Sequence, residues 1–334
     1  MQLGYSDDQR ELFDAFEQFF VGESPISVVR AAEPLGFDPS LWAKLNAMEI
    51  WGSHVSLQQL CVIGETVGRS IAPVPFAEHA VAARLLQRED VDTGSVIAGL
   101  SLRETDVGGD WTLVPNGAIA DIVVGIDGGS LVSVESSAPG RSPRNHASAP
   151  LADRNVAEGT RTVLGPRTDG DRAVAEWKAI TASMLVGVAS RALELAIDYA
   201  TERHQFGVPI GSFQAIQHSL ADLPGSIDGA RLLVSKAAAA LDAEVTGSTA
   251  DVNLNEIDDP IVLASMAILF AGDVAAMATD RSLHVHGGYG FAEEYDIQLY
   301  YRRARGWALV LGDPAAEAVS LADRLWPSDI AGGH

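Results

Sequence analysis

The stretch "TERHQFGVPIGSFQAIQHSLADL", Thr201 to Leu223, ends one helix, turns, and starts another. Upstream of it Trp177, Ile180, Met184, Val188, Ala192, Leu195 and Tyr199 recur every three or four residues, which predicts one apolar stripe along a helix. Downstream, Phe213 to about Val245 and Asp259 to His286 continue in the same manner, rich in Ala and Leu. Long helices with short connections pack as an antiparallel bundle, so this junction sets the architecture of the C-terminal half. The turn itself is more particular than a turn requires. Arg203 offers a fixed fork of donors for a phosphate or carboxylate, Gln205 an amide, Phe206 a ring, and Gly207 close backbone approach. A bland alternative stands beside this one: a helix end with a basic residue favourable to its dipole, followed by a Gly-Pro stop.

Working outward, Ser6 with Gln9 three residues on forms a capping box before Leu12, Phe13, Phe16, Phe19 and Phe20 at helical spacing. "LGFDPSLWAKLNAMEIWG" and "SLQQLCVIGETVGRSIAPVPF" read as further short helices, the second stopped by Pro73 and Pro75. From about Asp92 the texture changes: "SVIAGLSL", "ADIVVGI" and "SLVSVES" alternate with Gly, Asp and Pro, the pattern of strands and turns. Ser136 to Ala149 reads as an exposed loop. The expected class is α+β, mainly α. Residues 1–91 form an N-terminal helical domain, 92–170 a small β domain, and 171–330 an antiparallel four-helix bundle.

Composition narrows the function classes. The chain has 334 residues, 47% apolar and 20% charged, as in folded cytosolic proteins, and a single cysteine, Cys61, which excludes a disulfide framework and fits a reducing compartment. Net charge is −22, from 45 acids against 23 bases, and neither nucleic acid nor an anionic membrane attracts such a surface. The N-terminus "MQLGYSDDQRELFDAFEQFF" carries acids where a signal peptide has bases, and the apolar run Ile261–Gly272 is too short to span a bilayer. A cytoplasmic location is expected.

A second motif, "HVHGGYGFAEEYDIQLYYRRAR", runs from His284 to Arg305. Three glycines in four residues, Gly287, Gly288 and Gly290, end a long helix and admit a ligand to backbone. His284 and His286 are two apart and face different sides of a helix, with no further ligand at metal spacing, so no metal site is expected. Arg302, Arg303 and Arg305 are expected to pair with Glu293 and Glu294 on a solvated face.

Together "RHQFGVPIGSFQAIQHSLAD" and "HGGYGFAEEYDIQLYYRRAR" strongly resemble the acyl-CoA dehydrogenase family, and "GETVGRSIAPVPF" looks like its N-terminal helical domain. The likeness covers nearly the whole chain and implies a FAD enzyme that desaturates acyl-CoA thioesters between Cα and Cβ. A glutamate takes the Cα proton, the β-hydride goes to the flavin, and an electron-transfer flavoprotein accepts the electrons. It further implies FAD lying across a subunit interface, its pyrophosphate and adenosine gripped by the neighbour. The gripping positions here are Arg203, Gln205, Phe206, Gln214 or Gln217, Gly287 and Gly288, with His284 where the family usually has glutamine.

The chain departs from the family where catalysis resides. The usual base falls at Leu311, which takes no proton, and Asp313 lies two positions beyond. Some relatives place the base early in the first long C-terminal helix; that slot is Trp177, with Glu176 one residue and about 100° away. No catalytic residue is therefore assigned. The flavin-facing Trp-Ile-Thr strand is also missing, Trp111-Thr112 being a possible remnant. The intact grip and lost base resemble the non-catalytic subunit of heterotetrameric (α2β2) acyl-CoA dehydrogenases of actinobacterial steroid breakdown. That likeness implies a catalytic partner subunit and a bulky acyl-CoA. Two alternatives remain open: a self-sufficient homotetramer with a relocated base, and a flavin-free acyl-CoA-binding or assembly protein.

Overall fold

The fold is taken from a computed structural model that describes residues 4–246 and 259–326. Six helices open the chain: α1 Asp7–Glu23, α2 Ile26–Ala31, α3 Pro39–Asn46, α4 Leu57–Ser70, α5 Phe76–Leu86 and α6 Glu89–Asp92. Ser6 and Gln9 form the expected capping box, and Ser56 with Gln59 forms a second at the start of α4. Helix α4 ends at Ser70 on a left-handed Ile71, ahead of the two prolines, and Pro75 opens α5 instead.

The middle holds β1 Ala98–Leu100, β2 Asp110–Val114, β3 Ile122–Asp127, β4 Ser130–Glu135, β5 Ala152–Asn155 and β6 Thr160–Pro166. The main sheet has the order β1-β3-β4-β6, with β1 parallel to β3 and the other pairs antiparallel, while β2 pairs with β5. Trp111 lies fully buried between them and donates its indole N–H to the Ile126 carbonyl at 2.9 Å. It is a core residue of the β unit, while Thr112 beside it is exposed.

The rest is helical: α7 Arg167–Glu202, a short hairpin β7 His204–Gln205 and β8 Val208–Pro209, then α8 Gln214–Ala221, α9 Leu223–Thr246, α10 Pro260–His286, α11 Ile297–Ala308 and α12 Pro314–Leu325. The expected helix from Phe213 is two helices, parted at Asp222 ahead of Pro224. The last residues of the expected bundle, 327–330, lie outside the described residues. Helix α7 is the spine. Its expected stripe is buried through Ala192, but so are most other residues from Ala173 to Leu193, because α4, α5, α9, α10 and α11 enclose it. Two helices, α7 and α10 with the turn after it, are long and apolar enough to cross a bilayer, but most of each apolar window is buried against other elements.

Glycines let α4 and α7 touch backbone to backbone. A Cβ on Gly68 would meet the Met184 carbonyl oxygen at 1.8 Å, and one on Gly187 would meet that of Glu65 at 2.0 Å. No side chain fits at either point.

Candidate functional site

Two places compete as the site, and they differ in openness. The first is the end of the bundle where α7, the hairpin, α8 and the C-terminus of α10 converge. Arg203 caps α7: its N–H donates to the Tyr199 carbonyl at 2.9 Å, and its own carbonyl accepts from Ile210 N–H at 2.8 Å. The hairpin that follows pairs Gln205 with Val208 around Phe206 and Gly207, whose φ angles are +55° and +83°. Two left-handed residues make a type I′ loop, which suits glycine and strains phenylalanine. The strain holds the Phe206 ring in solvent, 94% exposed, edge-on to Phe213 at 6.2 Å.

Arg203, Gln205, Phe206, Gln214, Gln217, His284, Gly287 and Gly288 all lie exposed. Gln217 Nε2 donates to the Gly211 carbonyl and Gln205 Nε2 to that of His204. His284 Nδ1 lies 2.8 Å from the Asp280 carbonyl. Helix α10 joins the cluster through Arg281, which donates to the Ser219 carbonyl at 2.9 Å, and through Tyr289, whose ring lies 5.7 Å from the Arg203 guanidinium. Among the described residues no carboxylate pairs with Arg203. A Cβ on Gly207, Gly287 or Gly288 would meet no other atom within 4 Å. An unpaired fork of donors, bare backbone and exposed rings match the phosphates and purine of a dinucleotide. The donor set thus fits the pyrophosphate–adenosine half of FAD.

The second place is the crevice between the β unit, α5, α7 and α11, and it is nearly filled. Residues 145–150 run through it as a strap. Ala147 and Ser148 are buried, correcting the expectation of a wholly exposed loop. Ala147 seats on Gly306 and the Ser148 carbonyl on Gly36, where no Cβ could fit. Asn145 stiffens the strap, donating to the Ala149 carbonyl at 2.8 Å and accepting from its N–H at 3.1 Å. What remains is a cavity of about 60 Å³ lined by Glu78, Asn116, Trp177, Thr181 and Trp307, among others. Ligand pockets run to roughly 300 Å³ or more. The cavity holds a few waters at most and does not fit an isoalloxazine ring.

Leu311 stands in a separate, apolar groove with Ile268, Leu269 and Ala308. Of the carboxylates lining it, Asp313 caps α12 through Ala315 N–H, Glu317 pairs with Lys178, and Asp273 is exposed. Glu176 is buried and committed elsewhere, 3.0 Å from Arg84 and 3.2 Å from Arg172. The arginine cluster is also paired differently from the expectation. Arg302 and the buried Arg303 both bind Glu33, and Arg305 lies 3.5 Å from Asp280. Burial alone would raise the Glu33 carboxyl; the bonds from Arg303 and Arg302 outweigh it and hold the group below its usual range.

One residue of the crevice escaped the sequence reading. Glu78 accepts from Trp177 Nε1 at 2.8 Å and Asn116 Nδ2 at 2.6 Å, and burial pushes its carboxyl upward. Its signal was there to see, since it is the only acid in the apolar run "APVPFAEHAVAA". Among the described residues no group of three or more His, Cys, Asp or Glu gathers as a metal set.

A profile of the acyl-CoA dehydrogenase C-terminal domain matches residues 173–325. The chain is 32% identical over 310 residues to the acyl-CoA dehydrogenase IpdE2 of Mycolicibacterium smegmatis, spanning 87% of this chain and 90% of that protein. The fold matches one chain of the Tcur3481-Tcur3483 steroid ACAD with a TM-score of 0.83 at 24% identity, covering 98% of this chain and 99% of that one. It matches one chain of the ChsE4-ChsE5 complex from Mycobacterium tuberculosis equally well, TM-score 0.83 at 20% identity, each chain covered in full.

Proposed function

The chain belongs to the acyl-CoA dehydrogenase family, and we propose that it serves there as an accessory subunit, donating a FAD grip to a catalytic partner. One observation carries the reading: the dinucleotide-type donor set faces outward, its arginine paired with no carboxylate among the described residues, while the chain's own crevice is filled and its usual base position is Leu311. An outward grip serves a cofactor whose ring is housed elsewhere. The Tcur3481-Tcur3483 steroid ACAD and the ChsE4-ChsE5 complex, of the same fold, supply the context of a two-subunit enzyme.

In this reading Arg203 clamps the pyrophosphate, with Gln205, Gln214, Gln217 and His284 as hydrogen-bonding groups around it. Phe206 covers the purine, and Gly287 and Gly288 give the phosphates access to backbone. Bound FAD supplies the hydride acceptor for desaturation of an acyl-CoA thioester. The partner supplies the carboxylate that takes the Cα proton, and this chain moves no proton in the step. The substrate class is a bulky, steroid-derived acyl-CoA, the electron acceptor an electron-transfer flavoprotein, the assembly α2β2 and the location cytoplasmic. Residues 1–91, 92–170 and 171–330 would be its three domains.

The test is expression alone and together with a candidate catalytic subunit. Alone, the purified chain should hold no stoichiometric flavin and reduce none with an acyl-CoA. Arg203→Ala should strip flavin from the complex by about tenfold to a hundredfold in affinity, the worth of a charge-assisted bond. One FAD per isolated chain, reduced by substrate, sinks the proposal. It would instead favour a self-sufficient enzyme that lifts its strap, for which the half-buried Glu78 carboxyl beside Trp177 is the observation in support.

A further inference from the structure

The guanidinium of Arg203 faces a ring rather than an acid. Tyr289 lies 5.7 Å from it, and Tyr289 is 5.5 Å from Tyr295. Tyr295 in turn meets Tyr199 at 6.3 Å and His286 at 6.2 Å, and those two stack at 4.3 Å. The series joins the last turn of α7, the last turn of α10 and the two segments that follow α10. Its inner members are fixed and its outer member, Tyr289, is half exposed.

An arginine near a helix end usually finds a carboxylate, which would have to be displaced before an anionic ligand could bind. An aromatic face attracts a guanidinium while leaving its N–H fork free, because the ring meets the cation's face and competes for none of its in-plane donors. His286 supports the arrangement as a buried ring whose pKa burial pushes downward, so it disfavours adding a charge of its own beside the clamp.

We propose that Tyr289, braced by Tyr295, is the positioning residue that parks Arg203 with its donor fork open toward the pyrophosphate of a dinucleotide. The inference rests on the FAD-grip reading and adds to it the means by which the grip stays empty and oriented.

ADP carries the same adenosine and pyrophosphate chemistry and serves as the probe, titrated calorimetrically into the full-length chain at low ionic strength. Tyr289→Phe keeps the ring and should bind ADP within about twofold of the parent. Tyr289→Leu should weaken binding about fivefold, the worth of one cation–π contact at an exposed site. In the Arg203→Ala background the Tyr289→Leu change should cost nothing further, since its effect runs through the arginine. Tyr289 is half exposed, so both variants should unfold at the parent temperature. Unchanged ADP affinity in Tyr289→Leu, with Arg203→Ala still defective, overturns the positioning role and leaves the grip standing. A full loss on adding Tyr289→Leu to Arg203→Ala also overturns it, since the ring would then touch the ligand directly. No dependence of ADP binding on Arg203 overturns the grip and, with it, this inference.

Discussion

Replacing Glu176 by alanine separates its two readings, a relocated base and a structural anion. Its carboxylate is 6% exposed and receives Arg84 Nε at 3.0 Å and Arg172 Nε at 3.2 Å. Removing one partner of a buried ion pair costs about 3–5 kcal/mol, chiefly by stranding the remaining charge. Here the stranding is partial. Arg84 keeps the Val55 carbonyl and has Asp242 at 3.9 Å, and Arg172 keeps Glu244 and the Leu241 carbonyl. The expected loss is therefore about 2–3 kcal/mol. In urea the midpoint should fall by about 1 M for a slope near 3 kcal/mol/M, with the slope unchanged. Glu176→Gln keeps the shape, loses the charge and should lose most of the same stability. Flavin reduction by the two-subunit complex, measured on the surviving folded fraction, should be unaffected. A loss below about 1 kcal/mol together with abolished flavin reduction would refute the reasoning and make Glu176 a base.

Three further outcomes are expected. His79 is fully buried between Trp42 and Trp51, accepts from Ala98 N–H and has burial push its pKa to about 3. Its contribution to stability is full above pH 6.5 and is lost as pH falls toward 3, at up to about 1.4 kcal/mol per unit; pH-dependent urea melts of His79→Gln should lack that slope. Gly187→Ala should destabilise by about 2 kcal/mol or more despite alanine's better helix propensity, whereas Gly225→Ala, where a Cβ meets nothing within 4 Å, should not; equal urea midpoints would discredit the α4–α7 contact. Phe206→Asn places Asn-Gly in the type I′ loop and should raise stability by about 1 kcal/mol while weakening flavin retention in the complex. Weaker stability in that variant would mean the ring packs in the isolated chain.

What the sequence disclosed was what local spacing encodes. The capping box at Ser6, the strands at Ile122 and Ser130 and the ends of α10 follow from periods of two and 3.6 and from caps a few residues away. The convergence of the two C-terminal motifs on one end of the bundle came only from the family resemblance, since local spacing places each at a helix end and no more. Pairings across the chain were not. Arg302 meets Glu33, 269 residues away, and nothing in "YRRAR" distinguishes that partner from the nearby Glu293 and Glu294. The all-round burial of α7 was hidden for a related reason: buried Lys178 and Glu176 read as surface residues until Glu317, Ser265 and two arginines are brought to them. The strap is invisible for want of side-chain pattern. Ala147 and Ser148 enter the crevice because Gly36 and Gly306 make room.

Helix α7 carries both competing places on one rod. Trp177 lines the filled crevice, and Arg203 ends the same helix as its C-cap. At 1.5 Å per residue the two are about 39 Å apart. A rod of that length is a lever: pivoting at Gly187, about 24 Å before Arg203, a tilt of about 1° would swing the Arg203 end by about 0.4 Å, enough to weaken a hydrogen bond. The glycine contacts at Gly68 and Gly187 sit between the ends, with no side-chain cushion to absorb movement, and so act as its fulcrum. The stretch of α7 between crevice and grip is thereby seated directly on the α4 backbone.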